Sequence, residues 1–129
     1  MMVEPFNISS DDSILWITEW MKKDPQLVAG FTTKYGGDSS KDYESLNLGL
    51  HVGDNPNTVI QNRHIISEKL QFPLKSWILT EQCHGNQVLI VGEKDKGRGA
   101  FDSRDALQLA DGMLTDTPGV LCVTMYADC

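Results

Sequence analysis

The sequence predicts an α+β chain in which short strands alternate with two helices. Three observations predict it. Short apolar runs, Trp77-Ile78-Leu79, Val88-Leu89-Ile90-Val91 and Val120-Leu121-Cys122-Val123 among them, are bounded by Gly, Asn, Asp and Pro, the pattern of strands between turns. Asn55-Pro56 opens a helical pattern that continues to Leu70, since Asn caps a first turn and Pro suits its first position. Apolar residues make up 40% of 129 residues, which suits one packed domain, or part of one, spanning residues 1–129.

The elements follow in order. Asp11 or Asp12 is placed to cap a helix over 13–23, with Ile14, Ile17 and Met21 on one face and Asp24-Pro25 at its end. Trp16 and Trp20, four apart, read as packing residues. Residues 27–33 form a short strand. A long polar loop over 34–44 carries Gly36-Gly37, which allow positive φ and close ligand approach, and loops of this length are commonly functional. The helix over 55–70 places Val59, Ile66 and Leu70 on one face, with Arg63 inside that stripe. Strands follow at 77–80, 87–91 and 111–115. The charged, glycine-bearing stretch 92–105 reads as a surface loop. The run 120–126 reads as a strand buried on both faces. Chain ends are usually exposed, so a chain that stops just past such a strand is expected to be a fragment.

A formal net charge of −7 argues against non-specific binding to nucleic acid or anionic membranes. No apolar stretch has the length of a membrane span. Residues 1–12 lack the basic start and apolar core of a signal peptide. Three cysteines without framework spacing argue against a secreted disulfide scaffold, and a reducing cytoplasm fits them best.

The chemistry-bearing stretch is Glu81-Gln82-Cys83-His84-Gly85, set between two strands. A second apolar strand delivers Ala127-Asp128-Cys129. Imidazole and thiolate are both good zinc ligands, and a catalytic zinc takes three protein ligands and one open position. A lone histidine is more often a hydrogen-bonded structural residue, and a lone cysteine a small apolar one. Cys83 should point away from His84 by strand alternation, and Cys122 away from Cys129 and into the core. Arg63 has two readings, an internal salt bridge or stem packing on one side and a phosphate clamp on the other.

Several stretches in order carry a resemblance. Gly30-Phe31-Thr32-Thr33-Lys34-Tyr35-Gly36-Gly37, Ser45-Leu46-Asn47-Leu48-Gly49, His51-Val52-Gly53-Asp54, Asn62-Arg63, Glu81-Gln82-Cys83-His84-Gly85 and Ala127-Asp128-Cys129 resemble the YfiH/YlmD family, also called the laccase-domain or polyphenol-oxidase-like family. The resemblance spans about residues 28–129 and leaves 1–26 as an extension outside it. It implies an α+β fold of mixed β-sheets packed between helices, of which this chain is about the first half. The unfilled sheet would then expose an edge.

The same resemblance implies a zinc-dependent purine nucleoside phosphorylase that acts on adenosine, inosine, guanosine and methylthioadenosine and also deaminates adenosine. Its partners are a purine nucleoside and inorganic phosphate. It implies zinc on His84 and Cys129, with a third ligand, a histidine of a His-Ala-Gly-Trp-Arg-Gly motif, expected beyond residue 129. Lys34 and Arg63 are the implied phosphate or loop charges and Asn47 the nucleoside contact. Lys34 stands where many members carry arginine, and Cys83 where valine is common. Two other readings are a non-catalytic fragment or a domain that binds nucleosides or a partner chain, and a copper-dependent polyphenol oxidase. The second sits poorly with three histidines in the chain, because multicopper sites use many.

Overall fold

Residues 14–17 form a strand where a helix is expected. In the computed structural model, which describes residues 4–126, β1 (Phe6–Ile8), β2 (Ile14–Ile17) and β3 (Gly30–Thr32) form an antiparallel sheet in that order. The register pairs Asn7 with Trp16 and Leu15 with Phe31. The expected helix over 13–23 is therefore shortened to α1 (Thr18–Lys23). Ile14, Leu15, Trp16 and Ile17 are β-branched, aromatic and apolar, so they suit a pleated surface with partners on both sides. The spacing of Ile14, Ile17 and Met21 only imitates a helical stripe.

The capping role expected of Asp11 goes instead to the β1–β2 turn. Asp11 Oδ1 accepts from the Ser13 amide at 3.1 Å and from the hydroxyls of Ser9 and Ser13 at 2.7 and 2.6 Å. Asp12 takes a left-handed φ of 62° beside it. Gly30 is required by close approach, since a Cβ there would lie 2.7 Å from the Leu15 carbonyl oxygen. Trp20 is exposed, against the packing expected of it. The polar loop is cross-braced at Ser45. Its amide and hydroxyl both donate to the Lys34 carbonyl at 2.9 Å, and its Oγ accepts from the Gly37 amide at 3.2 Å.

Leu48–Cys129 forms a second compact unit. Its helix α2 spans Pro56–Leu70, as the sequence predicts, with Asn55 Oδ1 accepting from the Asn57 amide at 2.9 Å. Gln71 closes it in the left-handed conformation. Val59 and Ile66 are fully buried. Strand β4 (Trp77–Leu79) is buried throughout and pairs in parallel with β7 (Leu121–Val123). Strands β5 (Val88–Ile90) and β6 (Gly112–Leu114) form a second parallel pair. Among the described residues each ladder in this unit has two strands.

The last strand departs from expectation. Leu121 and Val123 are half-buried and Cys122 is exposed, so neither the doubly buried strand nor a core Cys122 holds. Among the described residues β7 pairs with β4 alone, and its other edge is not covered by a strand. The stretch 92–105 is not wholly surface either. Gly97 and Arg98 bond the main chain of β4, and Asp95, Gly99 and Ala100 are buried. Gly99 has φ of 76°, and a Cβ there would lie 2.9 Å from that of Leu79, so a side chain has no room.

Candidate functional site

The turn at His84 leaves the end of β4 and is held from two directions. Upstream, Thr80 forms a parallel bridge with Leu107, and the Glu81 amide donates to the Leu107 carbonyl at 2.7 Å. The Gln82 side chain then reads both polar groups of Met125, donating to its carbonyl at 3.1 Å and accepting from its amide at 2.7 Å. This ties the turn to the segment that follows β7.

Downstream, three successive amides converge on one carboxylate. Cys83 N and His84 N donate to Asp111 Oδ1 at 3.0 and 2.9 Å, and Gly85 N donates to Oδ2 at 2.7 Å. Successive amides aimed at one point make an anion nest, here filled by the chain's own side chain. The bonds, with that from Gly85 the strongest influence, hold the Asp111 carboxyl below the usual carboxylate range.

The left-handed residue is His84 itself, with φ of 60°. That conformation costs a non-glycine residue about 1 kcal/mol or more, and the three amide bonds to Asp111 offset it. His84 is exposed, so its ring meets solvent from a fixed backbone. Cys83 is a poor co-ligand, as expected, but for another reason. Its Sγ lies 3.3 Å from Asp111 Oδ2, and this hydrogen bond, first among the causes, pushes the thiol pKa up and away from the thiolate that metals require.

Cys129 falls outside the described residues. Arg63 is 2% exposed. Its Nε donates to the Leu48 carbonyl at 2.9 Å, and Nη1 donates to those of Gly99 and Ala100 at 2.8 and 2.7 Å. Burial pushes its pKa down to about 10, so it stays charged at neutral pH. It ties three main-chain carbonyls together, and among the described residues this is neither an ion pair nor an open clamp. Lys34, in the first unit, is exposed with Nζ 5.5 Å from the Tyr35 ring centre, in a surface cleft with Glu44 and Ser45. Asn47 is half-buried at the end of that unit.

An exposed imidazole on a pinned turn is a donor that suits zinc. Among the described residues no three His, Cys, Asp or Glu side chains gather to hold a metal, so the set is not completed within them. Two residues escape the sequence. Gln82 stands in the motif without a role, and Asp111 reads only as the first residue of the strand over 111–115.

A family model described as multi-copper polyphenol oxidoreductase laccase matches residues 28–129, and the chain belongs to this family. It is 47% identical over 102 residues to the purine nucleoside phosphorylase YlmD of Geobacillus stearothermophilus, covering 79% of this chain and 37% of that protein. To the protein of the same name from Bacillus subtilis it is 39% identical over 128 residues, covering 97% and 46%. To the purine nucleoside phosphorylase YfiH of Escherichia coli it is 38% identical over 120 residues, covering 91% and 44%. The crystal structure of a Bacillus licheniformis hypothetical protein YfiH superposes with a TM-score of 0.91 at 38% identity, covering 98% of this chain and 46% of that one. The chain thus spans less than half the length of these relatives. Among the described residues no helix is long and apolar enough to cross a membrane.

Proposed function

We propose that this chain supplies part of the active site of a zinc-dependent purine nucleoside phosphorylase that also deaminates adenosine. The observation that carries the reading is the identity of 38–47% to curated relatives named purine nucleoside phosphorylases. The His84 turn, exposed and fixed, supports it as a place where a reacting group can be held.

In phosphorolysis an oxygen of inorganic phosphate bonds to the ribose C1′ as the bond from C1′ to the purine nitrogen breaks. The electron pair leaves with the base, which takes up a proton, and ribose 1-phosphate is the other product. The oxocarbenium-like transition state is helped chiefly by positioning and electrostatics. His84 presents its ring from a backbone that does not need to reorganise. Lys34 offers an exposed cation to the phosphate, and Asn47 an amide to the nucleoside. Arg63 braces the loops it bonds rather than meeting phosphate. Zinc bound through His84, Cys129 and a third ligand would supply a Lewis acid and, for deamination, a water of lowered pKa.

The test is product analysis with inosine, on zinc-replete protein of the relatives' length. Hypoxanthine should appear only when phosphate is supplied. Equal release without phosphate would mean hydrolysis. No release in either buffer would favour a nucleoside-binding module, and copper-dependent phenol oxidation in its place would favour the oxidase named in the family description.

A further inference from the structure

We infer that Asp111 is the positioning residue of the His84 turn: its carboxylate, gathering the amides of Cys83, His84 and Gly85, sets the left-handed backbone from which the His84 ring is presented. The inference rests on the proposed function, which gives His84 a ligand to meet.

Three features separate this from ordinary turn bracing. Both carboxylate oxygens are used, on three consecutive donors at 2.7–3.0 Å, and the middle donor belongs to the residue with positive φ. Cys83, His84 and Gly85 are all exposed, so no buried side chain of the turn depends on the carboxylate. The main chain around Asp111 is anchored without its side chain. Ala110 N donates to the Glu81 carbonyl at 3.1 Å, and the amides of Asp111 and Gly112 donate to the Gln87 carbonyl at 3.2 and 3.3 Å. Removing the carboxylate therefore frees the turn and leaves β6 in place. The freed amides can bond water, so the loss falls on preorganisation more than on folding.

Chemistry also explains why the residue is an aspartate. Asparagine keeps one acceptor oxygen, but its NH2 would face the Gly85 amide donor to donor. A glutamate adds a methylene and moves the acceptors away from the nest. Residues that orient a ligand without touching the metal typically change metal affinity 10–100-fold when replaced.

The experiment compares Asp111→Asn, Asp111→Ala and His84→Ala with the parent, in protein of the relatives' length prepared both zinc-replete and zinc-free. Three readouts are taken: amide hydrogen exchange at residues 83–85, zinc affinity by chelator competition, and the thermal midpoint. Both Asp111 variants should speed exchange at these three amides at least tenfold. They should weaken zinc about 10–100-fold and leave the midpoint of the apo-protein within a few degrees. Unchanged exchange overturns the inference, as does a midpoint that collapses along with zinc binding, which would make Asp111 merely structural. Zinc weakened by His84→Ala but not by Asp111→Asn also overturns it, while sparing the proposed function. Zinc held equally well by His84→Ala would instead remove His84 from the metal and overturn the reading on which the inference rests.

Discussion

Met1–Asn47 and Leu48–Cys129 each owe their order to different means. In the first, Ile14 and Leu46 are the buried large apolar side chains among the described residues, while Ile8, Trp20, Leu27, Phe31 and Tyr35 are exposed. Its order comes from an antiparallel ladder and from small polar side chains, Ser9, Asp11 and Ser45, that bond the main chain. The second unit buries Val59, Ile66, Leu74, Trp77, Ile78, Leu79 and Val91 around α2 and β4. The difference teaches where sensitivity to mutation should lie. Apolar burial is worth about 1.5–3 kcal/mol per large side chain, whereas a typical hydrogen bond nets about 1 kcal/mol. The His84 turn sits in the second unit but is built in the manner of the first, from polar bonds on an exposed loop.

The largest effect expected from testing this comparison is at Arg63, a charged residue inside the second unit's core. Arg63→Met fills the space but leaves the carbonyls of Leu48, Gly99 and Ala100 without these donors. Bonds to a charged group are worth about 1.5–3 kcal/mol each and do not add simply, so a loss of about 3 kcal/mol or more is expected in denaturant unfolding. Arg63→Lys should recover only part of it, because an ammonium cannot reproduce the planar fork. In the active enzyme the KM for phosphate should stay unchanged in both. A raised KM at preserved stability would restore the phosphate clamp and remove Arg63 from the forces that hold the second unit.

A smaller effect is expected at Ser45, the hub of the first unit's polar loop. Ser45→Ala removes the hydroxyl that donates to the Lys34 carbonyl and accepts from the Gly37 amide. The Ser45 and Leu46 amides still bond the same carbonyl, so the loop keeps its path. A loss of about 1 kcal/mol is expected, with faster amide exchange over residues 37–45. A loss as large as that at Arg63 would mean that polar bracing carries as much as core burial, and the contrast between the units would fail.

Legibility in the sequence follows the same division. The helix α2 was readable because its signals are local: Asn55 and Pro56 at the start, and the stripe of Val59, Ile66 and Leu70. The buried run Trp77-Ile78-Leu79 was equally plain. Strand β1 was not readable, since Phe6-Asn7-Ile8 is short and gains its order from pairing with β2. The same non-local pairing overrode the helical spacing of Ile14 and Ile17. At the site, the importance of His84 came through motif resemblance, but what holds it did not. Asp111 bonds the His84 amide across 27 positions of sequence, and no pattern in Ala110-Asp111-Gly112 announces it. The expected fate of Cys122 failed because strand alternation says which face a residue takes, not whether that face is covered.

The smallest expected effect concerns Asp102, where the second unit uses a polar cap like that of Asp11 in the first. Asp102 Oδ1 accepts from the Arg104 amide at 2.9 Å, and its carboxylate meets the Arg104 guanidinium at 2.6 Å. Bonding to the Arg104 side chain is the main cause that lowers its pKa to about 2. A carboxyl with a depressed folded pKa adds stability above its ordinary value, near 3.8, and loses that contribution as pH falls through about 2. Asp102→Asn keeps the cap and removes the charge. The parent should therefore melt slightly higher than this variant at neutral pH, and the gap should close between about pH 4 and pH 2. The pair is exposed, so the gap should also shrink in high salt. Melting curves of both proteins across pH and salt decide the point. No gap at neutral pH would show that Asp102 acts through its cap geometry, which the asparagine keeps, and a gap that persists at pH 2 or ignores salt would remove the ion pair with Arg104 as its cause.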